Sequence, residues 1–351
     1  MDKKILVLGA GTAGSAAASF LKLKGLEVIM IDRAQRPLDK DLLQIGESLS
    51  PDAAPLLKEL GIWNAFCEAA HLKCFSNVSY WQSQEARHHD FIQHPIGHGW
   101  HLDRTAFDSQ LLAHALKLAV NFNPKTTISK FRRVSDQWQV LLSNDLNNTE
   151  SLTVDYVVDA TGRNSWWARQ QGVERLYEAE QLALVAFLDI DKSFEDTRTL
   201  VETTTNGWWY SAAIPGNRMA TAFFCPPENV DKTGWLQAEG WKALLEQATQ
   251  TATRIDEAKG QLLAAPRLVA AHSSILERLQ GPGWMAVGDA ALTYDPIAAH
   301  GITMALTSAR DAAEAIRQCF QGDVQAPERY EALLRSAFQR YAQERQQMVS
   351  Y

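Results

Sequence analysis

The chain has 351 residues, 46% apolar and 21% charged, which excludes a disordered segment and a small stapled domain and leaves about two domains or one large one. Lys plus Arg number 34 against 41 Asp plus Glu, a net charge of −7 with no dense basic block, so nucleic acid and anionic membrane surfaces are poor partners. Four cysteines without CxxC spacing (Cys67, Cys74, Cys225, Cys319) fit a reducing, cytoplasmic setting, and no apolar run approaches the roughly 18 residues that span a bilayer.

The first twenty residues imitate a secretory leader, with a charged start and small apolar positions after it, but the glycines contradict that reading. Ile5-Leu6-Val7-Leu8 is a buried-strand run followed at once by Gly9-Ala10-Gly11-Thr12-Ala13-Gly14 and a small-residue helix to Lys24. Gly25 closes that helix, and residues 26–31 form a second strand ending at Asp32, eighteen positions beyond Gly14. In such a unit Gly9 permits the tight turn, Gly11 lets a pyrophosphate approach the backbone, and Gly14 lets helix and strand pack closely. Asp32 then holds an adenosine ribose and disfavours a 2′-phosphate, so FAD or NAD fits better than NADP.

After Asp32 the sequence is loop-like to Gly46. A helix is expected over Ala53–Leu60, ended by Gly61, and another over 104–118. Residues 138–142 and 153–158 read as paired strands around Asn147-Asn148, the second running into Asp159-Ala160-Thr161-Gly162. Antiparallel strands follow at 182–190, 199–203, Gly207–Ile214 and 219–224, the last two joined by Pro215-Gly216-Asn217. A helical stretch over 235–252, a short buried strand at 285–287, a helix over 300–320 and a charged, solvated helix over 327–347 complete the chain.

Five separated segments now fit one scheme: Gly9 to Gly14 with Asp32; Gly46-Glu47-Ser48-Leu49-Ser50-Pro51; Arg104; Asp159 to Ser165 with Arg169; and Gly288-Asp289-Ala290-Ala291 with Asp295-Pro296 and Gly301. In this order they resemble the FAD enzymes that include single-component aromatic hydroxylases, flavin-dependent halogenases and geranylgeranyl reductases. The resemblance implies an α/β fold: a glutathione-reductase-type FAD-binding Rossmann domain with an inserted antiparallel β-sheet substrate domain and C-terminal helices. The FAD domain would be discontinuous, over 1–75, 98–172 and 281–325; the substrate domain would take 76–97 and 173–280, and 326–351 would form a terminal helix. It also implies FAD contacts at Gly9, Gly11, Thr12, Ala13, Gly14, Asp32, Arg33, Glu47, Ser48, Arg104, Ile128, Ala160, Gly162, Gly288, Asp289, Pro296, Gly301 and Ile302. In that scheme Asp289 bonds the ribitol while Gly288 leaves room for the cofactor chain, and Pro296 lies near one ring face. The helix opened by Gly301 meets the pyrimidine edge, Ile128 contacts adenine through its backbone, and Asp159 and Gly162 serve both FAD and a transient NAD(P)H. For Glu47 and Ser48 a helix-capping segment is an equal alternative to a direct cofactor contact. Where relatives carry serines before the last glycine, this chain has Ala298-Ala299-His300.

The strings Gly97-His98-Gly99-Trp100-His101-Leu102-Asp103-Arg104 and Gly207-Trp208-Trp209-Tyr210-Ser211-Ala212-Ala213-Ile214-Pro215 are similar to the flavoproteins that accompany cysteine tryptophylquinone oxidases and modify a tryptophan of their partner. This implies an NAD(P)H- and O₂-dependent monooxygenase that hydroxylates an aromatic ring through a flavin C4a-hydroperoxide. Its substrate would be an aromatic small molecule or a partner protein bearing the target tryptophan. Trp209 and Tyr210 are then the expected substrate walls, with Tyr210 and His300 candidates for proton transfer; packing in an aromatic core is the plainer reading of all three. A flavin-dependent halogenase competes with this reading, but its Trp-x-Trp-x-Ile-Pro string is broken here, since Ser211 stands four residues before Pro215. Its tunnel lysine would be Lys73, for which solvation is the plainer reading. A geranylgeranyl-reductase-like double-bond reductase and a flavin-binding maturation or docking protein also fit the five FAD segments. The histidines from His88 to His101 have irregular spacing and no completing Cys or acid, so no metal is expected.

Overall fold

The computed structural model describes residues 3–36, 44–146, 148–231, 233–296 and 299–349. Lys4–Leu8 lies inside a six-stranded sheet, in the order Gln280–Gly281, Trp284–Ala286, Tyr156–Asp159, Lys4–Leu8, Glu27–Ile31, Asn121–Asn123, parallel except at the Gln280–Gly281 edge. Ile5, Leu6, Val7 and Leu8 are all buried, as a parallel strand with both faces covered requires. They belong to one core with the helices Thr12–Leu23 and Gly301–Phe320, which pack on each other and place Ala16, Ala309 and Ala312 in it. Each buried Leu or Ile here contributes about 1.5–3 kcal/mol.

The run expected as one strand over 153–158 is divided at Asp155. Thr149–Val154 pairs antiparallel with Gln137–Asn144, while Tyr156–Asp159 enters the parallel sheet. Asp155 is the hinge: its carboxylate accepts from Lys4 N–H and Lys3 Nζ, both at 2.9 Å, and its own N–H donates to Lys4 O at 2.8 Å. Position 147 of the expected turn lies outside the described residues.

A second sheet runs Gln261–Leu262, Leu182–Asp189, Arg218–Cys225, Gly207–Ile214, Thr199–Thr204, Ser76–Tyr80, Arg87–Asp90, with Arg267–Ala270 also on Leu182–Asp189. It is antiparallel except where Ser76–Tyr80 joins Thr199–Thr204 in parallel. Gly216 (φ +86°) and Asn217 (φ +55°) make its central hairpin turn, in the left-handed region these two residue types accept. Both faces are covered. One packs Leu184, Trp209 and Phe223 against Trp241 and Ile255 of the helices Ala238–Leu245 and Thr249–Glu257; the other carries Val185, Trp208 and Phe224. The stretch expected as one helix over 235–252 is thus two, and the second begins where the Glu202 carboxylate accepts from Gln250 N–H, Thr251 N–H and the Thr251 hydroxyl.

Two further sheets join these bodies. Arg175–Ala179, Ser273–Leu276 and Leu292–Thr293 form one, and its Ile275 and Leu276 pack into the core of the parallel sheet. Ser48–Leu49, Gly99–His101 and Leu72–Cys74 form the other. The last helix, Ala326–Val349, is not merely solvated as its charge suggests. Ala326, Tyr330, Leu334, Phe338 and Tyr341 make a buried stripe on the core, and the Tyr330 hydroxyl donates to Ala286 O at 2.7 Å.

Candidate active site

The turn after the first strand is built for close approach. Gly9 has φ +101°, and a Cβ there would lie 2.4 Å from Ala160 O; a Cβ on Gly14 would lie 1.8 Å from Gly9 O. At Gly11 a Cβ would meet nothing within 4 Å. The helix it opens has neither a side-chain cap nor an acid in its first turn. Its positive end and N–H groups therefore face an open cradle that suits a pyrophosphate. Thr12, beside Ala13 at the helix head, donates its hydroxyl to Asp108 Oδ1 at 2.5 Å and accepts from Arg104 Nη2 at 3.2 Å. Arg104 also donates to Ile45 O and Gly46 O and pairs with Asp108 at 3.3 Å, with its Nε unpartnered.

Asp32 is held by its own chain: it accepts from Ala10 N–H and Ala34 N–H, each at 2.8 Å, and from Arg36 Nε at 3.1 Å. About one of its four lone-pair positions is left for a ribose hydroxyl. Arg36 escaped the sequence reading although it stands four residues after the acid; Arg33 is exposed. Thr126 N–H donates to Asp32 O at 2.8 Å, which sets the strand carrying Ile128 beside this end, with Ile128 paired to Leu142.

Asp159 points inward. It is fully buried and accepts from Thr161 N–H, the Thr161 hydroxyl and Ala168 N–H, so it caps the helix Trp166–Gln170, and burial raises its pKa. Ala160 packs against Gly9, and Gly162 has φ +65° with open space where a Cβ would stand. At Gly288 a Cβ would lie 2.6 Å from the Ala13 Cβ, so this glycine lets the first helix dock. Asp289 is half exposed with Arg163 at 3.6 Å. Gly301 opens a twenty-residue helix with no side-chain cap, Ile302 is buried in the core, and the Thr303 hydroxyl is buried without a partner.

Between the sheets and this helix head lies a cavity of about 1530 Å³. Small-molecule pockets typically span about 300–1,000 Å³, so it has space for a flavin ring together with a large substrate. Its walls include Val78, Trp81, Thr199 and Trp208 from the second sheet and Cys74 and Trp100 from the small one. Pro296, His300, Thr303 and Met304 close one end, and Ala337, Arg340 and Tyr341 of the last helix close another. Trp209 does not reach it. Neighbours on a strand face opposite ways, so with Tyr210 at the cavity Trp209 packs on Trp241 (ring centroids 6.0 Å apart), and the wall is Trp208, stacked on Phe224 at 4.0 Å. The same alternation turns Lys73 outward, exposed, while the adjacent Cys74 lines the cavity. Among the described residues no lysine lines it.

The polar end of the cavity joins residues from three strands and a loop. The Tyr210 hydroxyl lies 2.5 Å from Glu47 Oε1 and 2.9 Å from Ser48 Oγ; Ser48 Oγ lies 3.2 Å from His101 Nδ1, and His101 Nε2 lies 3.1 Å from Thr197 O. Burial raises the Glu47 pKa, against the Tyr210 contact, the N–H groups of Glu47 and Gly46, and Arg104. Burial, with Arg254 nearby, lowers the His101 pKa to about 4, so the imidazole is neutral at pH 7. Burial and Glu47 raise Tyr210 well above the usual phenol range. His101 is the functional candidate that sequence reading missed; its position in the Gly97 to Arg104 string was the available signal. Among the described residues no group of three or more His, Cys, Asp or Glu is placed to hold a metal.

Residues 2–349 match the FAD binding domain family, and the chain belongs to it. The unpartnered Arg104 Nε, the uncapped helix heads at Gly11 and Gly301 and the open space at Gly11 fit that cofactor. Among curated relatives, the chain is 29% identical over 309 residues to the putative FAD-dependent oxidoreductase LodB of Marinomonas mediterranea, covering 87% of this chain and 82% of that one. It is 26% identical to the tryptophan 2-halogenase of Chondromyces crocatus, over 97% of this chain and 66% of the halogenase, so it spans just under two thirds of that relative's length. Two solved structures share the fold. The flavin-dependent halogenase CmlS superposes with a TM-score of 0.85 at 22% identity, over 98% of this chain and 63% of its own. The peptidyl tryptophan dihydroxylase QhpG, essential for tryptophylquinone cofactor biogenesis, superposes with a TM-score of 0.76 at 21% identity, over 99% of this chain and 75% of its own. The chain is an FAD-dependent oxidoreductase.

Proposed function

We propose that this protein is a monooxygenase that uses NAD(P)H and O₂ to hydroxylate an aromatic ring, with a protein-bound tryptophan, the substrate class of QhpG, as one candidate. The observation that carries the reading is the cavity itself, which presents hydroxyls and a neutral imidazole from Tyr210, Ser48 and His101 while Lys73 faces away from it. The peptidyl tryptophan dihydroxylase supports the same side.

The uncapped helix head at Gly11 to Gly14 would bind the FAD pyrophosphate, Asp32 the adenosine ribose, Asp289 the ribitol, and the helix head at Gly301 the pyrimidine edge, where negative charge is favoured. Bound FAD would accept hydride from NAD(P)H and supply the electron pair that activates O₂. The chain itself orients the aromatic ring against Trp208, excludes water with the second sheet and the last helix, and holds a transferable proton on the Tyr210 oxygen. His300 and Pro296 line the cavity beside the Gly301 helix head, where His300 is a second proton carrier.

Halogenation is the second reading, favoured by relatives such as the tryptophan 2-halogenase. One experiment separates them. Purified protein with FAD, NAD(P)H, O₂ and a candidate partner should consume both reductant and oxygen and add oxygen to a tryptophan of the partner. A product that requires bromide or chloride would establish the halogenase. Binding without any mass change would leave a docking protein.

A further inference from the structure

The polar end of the cavity is a chain of groups in which the hydrogens can be counted. One end is fixed: the Thr197 carbonyl has no hydrogen to give, so His101 Nε2, 3.1 Å away, carries the ring proton and donates. The Thr199 hydroxyl, 3.5 Å from the same nitrogen, is a poorer partner. A neutral imidazole protonated at Nε2 has a bare Nδ1, and the Ser48 hydroxyl donates to it at 3.2 Å. Having used its one hydrogen, Ser48 Oγ accepts from the Tyr210 hydroxyl at 2.9 Å. Tyr210 has then used its own, so the 2.5 Å contact with Glu47 Oε1 is completed only by a hydrogen that Glu47 supplies.

The opposite arrangement fails at two places. An ionised Glu47 would take the Tyr210 hydrogen, leaving Tyr210 and Ser48 as two oxygens 2.9 Å apart with no hydrogen between them. It would also bury a carboxylate that is 1% exposed and whose Oε2 has no partner of hydrogen-bond geometry, a cost that the N–H groups of Glu47 and Gly46 offset only in part. The cation facing it, Arg104, is already shared with Asp108. The remaining groups facing the chain are the Cys74 thiol, toward Tyr210, and Arg254 with Asp196, toward His101; those two pair with each other at 3.6 Å.

We propose that Glu47 is a carboxylic acid at neutral pH and the proton store of the substrate cavity, a positioning residue that acts through Tyr210. Ser48, Tyr210 and His101 line the cavity, whereas Glu47 stands behind them. The use of the store rests on the hydroxylase reading; its protonation does not. In a hydroxylation that takes up ArH, O₂, NAD(P)H and one proton, one oxygen atom enters the ring and the other leaves as water. Tyr210 gives its hydrogen to the departing oxygen and receives the one from Glu47. When the ring regains aromaticity its displaced proton returns through the Tyr210 oxygen to Glu47 Oε1, which restores the store. The proton taken from solution ends on the new ring hydroxyl, and the hydrogen delivered by NAD(P)H completes the water.

The test begins without cofactor or substrate. Infrared spectra of the protein with ¹³C-labelled glutamate at pH 7 should contain a protonated-carboxyl C=O band that is absent in Glu47→Gln, shifts in Tyr210→Phe and vanishes as the pH rises. A spectrum at pH 7 with only carboxylate bands would overturn the proposal. Should the Gln variant not fold, the pH titration of the labelled wild-type protein together with Tyr210→Phe decides. In turnover, Glu47→Gln still offers Tyr210 an N–H but cannot pass a proton. Hydroxylated product per NAD(P)H consumed should then fall by about 100-fold while NAD(P)H oxidation continues. Glu47→Asp should regain part of that yield with a displaced pH profile. Unchanged yield and pH profile in Glu47→Gln would refute the store, whereas a wild-type protein that hydroxylates nothing would refute the hydroxylase reading and leave the infrared result to decide the protonation.

Discussion

Tyr210 occupies the position where the buried polar chain meets the cavity, between Glu47 Oε1 and Ser48 Oγ. Replacing it by Phe keeps the ring packing and removes the hydroxyl, so hydroxylation should fall by about 100-fold with little change in substrate affinity, a loss in kcat rather than in KM. Lys73→Ala, by contrast, should leave product formation unchanged, because that side chain is outside the cavity; a loss of product with this variant would favour halogenation. The two buried titratable groups also set a stability profile. His101 has a folded pKa of about 4, depressed from 6.5, so its contribution is present above about pH 6.5 and is lost as the pH falls toward 4. Each unit of that gap is worth about 1.4 kcal/mol. Glu47 is raised, so its contribution is present at low pH and is lost as the pH rises through its folded value. Chemical denaturation across pH should therefore show an acid-side loss of stability that Glu47→Gln retains and an alkaline-side loss that it reduces, the share of the buried Asp159 remaining.

At the scale of elements, the turn between the first strand and helix depends on absent side chains. A Cβ on Gly14 would stand 1.8 Å from a backbone oxygen that cannot swing aside, so Gly14→Ala should cost at least about 3 kcal/mol and abolish FAD retention on purification. The last helix is a second such element. Its Leu334 and Phe338 are buried on the core while Arg340 and Tyr341 face the cavity. Leu334→Ala should lower stability by about 2–5 kcal/mol in urea unfolding. Elements are also where local pattern was most legible. The helix Ala53–Leu60 with Gly61 in the left-handed conformation follows from its apolar spacing and its terminal glycine. The break at Asp155 does not, because it is imposed by hydrogen bonds to Lys3 and Lys4, which are remote in sequence.

Across the whole molecule, residue order was enough to specify the FAD-binding family and the strand, glycine turn, helix and strand that open the chain. The Gly9 to Gly14 turn and Asp32 lie in local backbone geometry and spacing, which a linear string records. Which side chains share the cavity was settled by packing between distant segments. Trp208 rather than Trp209 faces it, because strand alternation and the helices over the far face assign Trp209 to a core. Likewise Gly288 gives room to Ala13, and the charged last helix is a wall, through contacts that no local pattern carries. The polar chain from Glu47 to His101 is the plainest case. Its members come from positions 47, 48, 101 and 210, and only the meeting of the small sheet with the second sheet brings them within hydrogen-bond distance. Proton affinity depends on that burial and those neighbours, which residue order does not encode.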